Sequence, residues 1–457
     1  MIDFSELLES IPEYREYLSV DEANANFDRV AMEHAQDAKL LDLGKSGGGE
    51  RIKCLKIGEG KHHALIYGFP NPEEPVGGVL LDYMANQLLK NRSLLRELDF
   101  TWYAIACIDP DGARLNNGFL KGPLTPLNFA KNYYRTPTTL TGEENFPFCY
   151  GDLDFHHPLP ETQALMKLLD TIRFDMIVSL HNMKWGGITY QVSEHCPELY
   201  PSLQNLTKTF RLEPRKRLGT MLAPAVQLAE YFTPVRNYVR AKGAGKGPLQ
   251  ELTGAFVYEY TLLSNPDVFM IVPECCLWHD SSCWDDRLSE SSMTDALTYS
   301  SRVGTETNKF MLSIFDKVEP HLKDSSPFLN MVRPIMKEIR TPTVNVLDPD
   351  PELSKEKLQR LATIAEKCET EGRADIYRLF NLGAMIRMLD YQLSKGGQGE
   401  SALRTSRADA ITKLDEWNLA LEKKYKCELQ PIRNLVGACL GSVLASAEYV
   451  KWRLHKI

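Results

Sequence analysis

The stretch A-L-I-Y-G-F-P-N-P-E-E-P-V-G-G, Ala64–Gly78, decides how the chain folds. Ala64, Leu65, Ile66 and Tyr67 make a short apolar run of the kind that forms a buried strand. Gly68 and the prolines Pro70, Pro72 and Pro75 then deny the backbone both a helix and a ladder. Immediately beyond, Val76, Val79, Leu80, Tyr83, Met84 and Leu88 recur at helical spacing. Strand, rigid acidic elbow and helix is the order that puts polar groups at the carboxyl end of a sheet, where α/β folds keep their chemistry. Asn71, Glu73 and Glu74 stand on that elbow.

Working outward, the same pattern repeats. The strands Ile52–Ile57, Phe100–Ile108, Asp175–Leu180 and Val268–Val272 are predicted from their apolar and β-branched content. Phe100–Ile108 ends in D-P-D-G-A-R (Asp109–Arg114), Asp175–Leu180 in S-L-H-N (Ser179–Asn182), and Val268–Val272 in P-E-C-C-L-W (Pro273–Trp278). Strands that each end in a polar turn support one α/β sheet with an active edge. Gly118–Pro158 reads as a long irregular stretch, a length that inside a compact domain is usually functional. Pro160–Ile172 reads as a helix. Residues 1–44 are expected to be a helical extension (Phe4–Leu8, Asp21–Leu41), 45–324 an α/β domain, and 325–457 a helical region. In the last of these Gly437, Gly441 and Ala445 recur every fourth residue, a spacing that lets two helices approach closely.

At 457 residues, with 43% hydrophobic and 25% charged residues, the chain has the composition of a globular protein of two domains' length. A net charge of −8 without a basic run argues against a nucleic-acid partner. The acidic opening M-I-D-F-S-E-L-L-E-S lacks the signal-peptide pattern. The most apolar late stretch, Leu435–Ala447, is short for a membrane span. The ten cysteines follow no paired framework and include no C-x-x-C. A cytoplasmic chain with reduced thiols is therefore expected.

The order of the polar turns resembles the zinc carboxypeptidase superfamily (peptidase family M14), in its bacterial branch. The matching pieces are N-P-E-E-P-V-G-G (Asn71–Gly78), D-P-D-G-A-R (Asp109–Arg114), K-N-Y-Y-R (Lys131–Arg135), P-L-P-E-T-Q-A-L (Pro158–Leu165), S-L-H-N (Ser179–Asn182) and P-E-C-C-L-W (Pro273–Trp278). The resemblance covers roughly residues 45–290. The resemblance implies an α/β fold, a carboxypeptidase-like mixed sheet flanked by helices, with the C-terminal helical region added. It implies a Zn2+ cofactor held by Glu74, His181 and Asn71, the last standing where the family has its first metal histidine. It also implies Glu274 as general base and Arg114 as the arginine that steadies the oxyanion. Lys131 and Asn132 would hold the substrate's free carboxylate, Arg135 could replace Lys131 in that task, and Tyr258 or Tyr260 would close the site.

Hydrolysis of an amide in this way needs a metal to lower the pKa of bound water, a carboxylate to shuttle the proton and an arginine to receive charge. An asparagine amide is a weaker zinc donor than imidazole. His156, His157 and His279 are candidate substitute ligands, whereas His62 and His63 precede the strand that leads into the elbow and fall at its wrong end. Three readings follow. The first is a metallohydrolase cleaving an amide next to a free carboxylate. The second is a metal-depleted relative that binds a peptide or protein tail. The third is an amidohydrolase of acylated amino acids or specialised peptides. The expected partner is a peptide or N-acyl amino acid with a free carboxylate, and the helical region offers a surface for a homo-oligomer.

Overall fold

The computed structural model describes residues 2–456 except 138–139, 151–152, 216–224, 228–233, 244, 246–251, 324 and 344–357. Fourteen strands occur among the described residues: β1 Ala38–Lys45, β2 Arg51–Ile57, β3 His62–Tyr67, β4 Phe100–Ile105, β5 Phe148–Tyr150, β6 Leu153–Phe155, β7 Met176–Ser179, β8 His181–Trp185, β9 Ile188–Val192, β10 Ala225–Gln227, β11 Phe269–His279, β12 Leu288–Ser292, β13 Leu361–Thr363 and β14 Glu428–Leu429. Ten of them form one mixed sheet in the order β1-β2-β4-β3-β7-β11-β9-β10, with β8 and β14 also paired to β11. Its centre is parallel: β3 runs with β4 and β7, and β7 runs with β11.

The helices that matter below are α1 Val20–Glu33, α2 Val76–Lys90, α3 Pro126–Asn132, α4 Pro160–Leu169, α5 Met293–Val318, α6 Pro327–Arg340, α7 Ile364–Lys395, α8 Glu400–Lys424 and α9 Ile432–Leu454. Period-2 alternation sends Ala64 and Ile66 of β3 into the larger core and Leu65 and Tyr67 into the smaller. The larger core is covered by α2, α7 and α9, the smaller by α4. Burial on both faces explains why the central strands are uninterrupted apolar runs.

Several expectations need correction. The helix expected over Asp21–Leu41 ends at Glu33, and the boundary at residue 45 falls inside the sheet. Residues 38–45 are β1, paired antiparallel with β2 and burying Ala38 and Leu43. Gly118–Pro158 is not structureless: it holds α3, a short helical turn at Asn117–Leu120 and the β5–β6 hairpin. The turn expected at Ser179–Asn182 is a break of one residue, after which His181 opens β8. The strand predicted to stop at Val272 runs on to His279, because β8 and β9 continue its ladders on both sides.

The C-terminal helices are part of the main core rather than an appendage. The capping box of Thr363 and Glu366 starts α7, which then runs for 32 residues. Its Phe380 meets Phe129 of α3 at 4.8 Å between ring centroids. Gly383 lies so close to α3 that a Cβ there would stand 2.0 Å from the Ala130 carbonyl oxygen. In α9, Gly437 and Gly441 leave room for Phe210 and Leu206, so the small-residue spacing serves packing. Among the described residues no helix is long and apolar enough to cross a membrane.

Gly383→Leu forces a backbone that has no room to move aside, so a destabilisation of about 3 kcal/mol is expected by urea unfolding, at the upper end for overpacked cores. A change below about 0.5 kcal/mol would show that α7 does not rest on α3 in this way.

Candidate functional site

The elbow owes its position to two glycines. A Cβ on Gly77 would lie 2.4 Å from Gly68 Cα, so the end of β3 and the first turn of α2 touch backbone to backbone. Between them Phe69 takes a left-handed φ of 50° and the Glu74 N–H donates to the Asn71 carbonyl at 3.0 Å. Asn182 of β8 locks the elbow from the other side. Its Oδ1 accepts from the Val76 N–H at 3.0 Å, its own N–H donates to Glu74 Oε2 at 3.0 Å, and its Nδ2 donates to the Cys275 carbonyl of β11 at 3.2 Å.

His181 and Glu74, far apart along the chain, meet here: His181 Nδ1 is 2.8 Å from Glu74 Oε2. The Asn71 amide Nδ2 lies 3.2 Å from both Glu74 Oε1 and His181 Nδ1. The opposite ring nitrogen, His181 Nε2, is 3.1 Å from Glu143 Oε1. Glu143 Oε2 in turn accepts from Tyr67 Oη at 2.9 Å and Ser179 Oγ at 2.8 Å. On the far side of Glu74, Lys184 Nζ lies 3.2 Å from Glu74 Oε1 and 3.4 Å from Glu73 Oε1. Arg135 Nη1 lies 2.5 Å from Glu73 Oε1 and 3.4 Å from Glu74 Oε1. Side-chain exposure is 0% for Glu73, 2% for Lys184 and 5% for Glu74, but 36% for Arg135, so Arg135 is the member open to solvent.

Electrostatics follow from this packing. Burial disfavours a charged His181, yet the Glu143 and Glu74 carboxylates more than offset it and hold the ring well above its ordinary pKa. Burial likewise pushes Glu74 up, but Lys184, His181 and Arg135 together hold its carboxyl well below the usual range. Lys184 is held above its ordinary value by Glu74 and Glu73 against the opposing effect of burial. Three carboxylates (Glu73, Glu74, Glu143) thus face three cations (Arg135, Lys184, His181). Glu144, next to Glu143, is pushed up to about 7 by burial and by the charge of Glu143.

The other residues singled out in the sequence separate into those the fold brings here and those it does not. Glu274 of β11 is in register with His181 of β8, so their side chains share a face. Its carboxylate is partly exposed and makes no hydrogen bond or ion pair among the described residues. Arg135 joins the cluster in place of Lys131, which is exposed at the end of α3. Asn132 is turned back on its own helix, donating to the Asn128 carbonyl at 2.9 Å. Arg114 is corrected outright: its guanidinium is taken by Asp21, at 2.7 and 2.8 Å, and by Glu50, at 3.0 Å, so it braces α1 against the turn that precedes β2. Tyr258 is packed in the smaller core, and Tyr260 donates to Asp170 at 2.6 Å. The substitute histidines do not reach the cluster either. His156 and His157 are exposed, with His156 on Asp154, and His279 stacks on Trp284 at 4.2 Å. Glu143 and Lys184 were not foreseen. Lys184 had a signal, a lysine inside the apolar run M-K-W after S-L-H-N, on the same strand face as Asn182. Glu143 had none.

Asn71, Glu74 and His181 converge as a metal-ligand set would, but their chemistry does not fit zinc. A ligating imidazole must be neutral, whereas the Glu143 and Glu74 carboxylates beside the His181 ring favour its protonated form. Glu74 is already neutralised by Lys184 and Arg135, and each repels a further cation by about 4 kcal/mol per unit charge at about 4 Å and an effective dielectric near 20. Asn71 adds only a neutral amide. The lone unpartnered acceptor of the cluster, Glu73 Oε2, is a single carboxylate oxygen, too little to hold a dication. Among the described residues no group of three His, Cys, Asp or Glu is arranged to hold a metal.

Lys184→Met removes the buried ammonium and leaves two buried carboxylates facing Arg135 and His181 alone. A loss of about 3–5 kcal/mol in urea unfolding is expected, and a loss under about 1 kcal/mol would contradict the pairing. For Glu144 the folded pKa lies above the unfolded one, so its stabilisation is complete below about 4.5 and is lost as pH rises through about 7. Glu144→Gln should flatten the pH dependence of stability across that window and leave the variant more stable than the parent at pH 8, checked by thermal melts; an unchanged slope would refute it.

Comparison with known proteins gives relatives of one kind. No family model matches the chain. Over 107 residues it is 30% identical to zinc carboxypeptidase A 1 of Anopheles gambiae, covering 22% of this chain and 24% of that protein. Over 105 residues it is 28% identical to carboxypeptidase B of Astacus astacus, covering 22% of this chain and 35% of that protein. The match thus spans about a quarter to a third of the curated relatives' length. Solved structures that match include bovine thrombin-activatable fibrinolysis inhibitor in complex with tick carboxypeptidase inhibitor, with 12% identity, coverage of 56% of this chain and 86% of the other, and a TM-score of 0.38. Another is a metallo-carboxypeptidase from Burkholderia cenocepacia, with 15% identity, coverage of 57% and 60%, and a TM-score of 0.33. The sequence relatives and structural neighbours of this chain are metallo-carboxypeptidases.

Proposed function

We propose that the cleft at the carboxyl edge of the sheet binds the free carboxylate end of a peptide or an N-acyl amino acid, and that its centre is neutralised by Lys184 and Arg135 in place of zinc. The observation that carries this reading is the contact of the buried Lys184 ammonium with both Glu73 and Glu74. A ligand approaching from solvent meets Arg135 first. The Arg135 side chain is partly exposed, with Nη1 tied to Glu73 and Glu74, and a guanidinium is the side chain best shaped for a carboxylate. Glu274, without a hydrogen bond or ion pair among the described residues, would accept the ligand's amide N–H on the same side of the sheet as His181.

A second reading, hydrolysis of the bound amide, is favoured by the placement of Glu274 beside His181, where the resemblance puts a general base. Metal analysis and calorimetry of the purified full chain separate the two. The binding reading expects less than a tenth of an equivalent of zinc, binding of N-acetyl amino acids without turnover, and at least tenfold weaker binding by Arg135→Gln. One zinc per chain, with hydrolysis abolished by Glu274→Gln, would establish the second reading instead. The double variant Asn71→His, Lys184→Met, which supplies an imidazole and removes the competing ammonium, should take up zinc where the parent does not.

A further inference from the structure

Ten cysteines are scattered through the chain, yet four of them meet in two buried pairs. Cys275 Sγ lies 3.0 Å from Cys439 Sγ, and Cys283 Sγ lies 2.9 Å from Cys368 Sγ. Carbon atoms in van der Waals contact stand about 3.5–4.0 Å apart, and sulfur is larger, so both pairs are already closer than contact. A disulfide bond needs about 2.05 Å, so each pair has only about 1 Å left to close. The neighbouring thiol shows that proximity in sequence does not produce this. Cys276 faces the other side of β11 and donates to the Trp185 carbonyl at 2.9 Å.

The two pairs also share a topology. Each joins β11, or the turn directly after it at Ser281–Trp284, to a helix of the C-terminal region: Cys275 to α9, and Cys283 to the second turn of α7. The loops they would close are long, 164 and 85 residues, the range in which a cross-link constrains the unfolded chain most. Cys275 follows Glu274, and Cys368 precedes Glu369, whose carboxylate holds Arg215 at 2.5 Å.

We propose that Cys275–Cys439 and Cys283–Cys368 are two intramolecular disulfide sites, closed by exchange with a disulfide reagent of the glutathione class as the C-terminal helices dock on β11. In each exchange one cysteine thiolate attacks the reagent's S–S bond and expels one reagent thiolate. The partner cysteine thiolate then attacks the mixed disulfide and expels the second. Two cysteine thiols lose two electrons and two protons, and one reagent disulfide becomes two thiols. Burial keeps the reagent away from the finished fold, so closure belongs to docking. The bridges then fasten α7 and α9 to β11 and the turn after it, and the chain departs from the fully reduced state expected from its sequence.

The test uses the full chain produced twice, once in a host whose cytoplasm sustains disulfides and once with a thiol reductant throughout. Each sample is checked for a folded far-UV spectrum, denatured in excess iodoacetamide, weighed and peptide-mapped. Six labels are expected from the oxidising host and ten from the reducing one, with the two named bridges in the map and a melting temperature several degrees higher for the oxidised form. Cys439→Ser and Cys368→Ser should each lose one bridge and keep the other. Ten labels on folded chain from the oxidising host, or bridges between other cysteines, would overturn the assignment.

Discussion

Glu73, Glu74 and Glu143 are buried carboxylates, and the site depends on the need to neutralise them. An isolated buried charge costs several kcal/mol even after relaxation, so it must be paired or protonated. Each is paired, and the partners arrive from two separate parts of the chain: Arg135 after α3, and His181 and Lys184 along β8. Those pairings fix where the elbow lies relative to β8. Asn182, between the two cationic positions, adds hydrogen bonds to the elbow, to α2 and to β11. Charge balance and backbone placement are therefore the same constraint seen twice.

Much of the fold was legible because its central strands are apolar on both faces and end in breakers. Ala64–Tyr67 followed by Gly68 and three prolines leaves a strand and a stop as the only reading, and β3 is there. What was missed follows from pairing that no local pattern encodes. The sequence after Val272 looks like a polar turn, P-E-C-C, yet β8 and β9 flank it and extend β11 to His279. Residues 38–45 lack the alternation of a strand, having only Ala38 and Leu43 buried, because β1 is a sheet edge whose structure comes from its ladder to β2.

The site was legible to a similar degree. Glu74, His181 and Asn71 could be grouped from the sequence because each stands just beyond a predicted strand, and the topology makes neighbours of such residues; the structure brings these three side chains together. Arg114 was misread because a guanidinium beside a polar turn looks the same in sequence whether it faces a cleft or a salt bridge, and Asp21 and Glu50 are remote from it along the chain. Glu143 lies in a segment with no periodicity at all. Its role exists only because Tyr67 and Ser179, on adjacent strands in register, present two hydroxyls to it from below the histidine.

Asn71 and Lys184 both act on Glu74. The asparagine amide donates a hydrogen bond to the carboxylate but leaves its buried charge intact. A metal held by fewer and weaker ligands would neutralise that charge only part of the time, and the carboxylate would pay for its burial whenever the metal left. An ammonium fixed on the neighbouring strand neutralises it permanently, over a short distance and without dependence on metal supply. The same ammonium, buried at 2% exposure beside Phe129, would be unstable without Glu73 and Glu74. Without Lys184 the elbow would hold a buried anion short of a partner, and without Glu73 and Glu74 the strand would hold a buried unpaired cation. The elbow and β8 therefore form a single electrostatic unit, in which the charge of Glu74 is balanced by a side chain more than a hundred residues away along the chain.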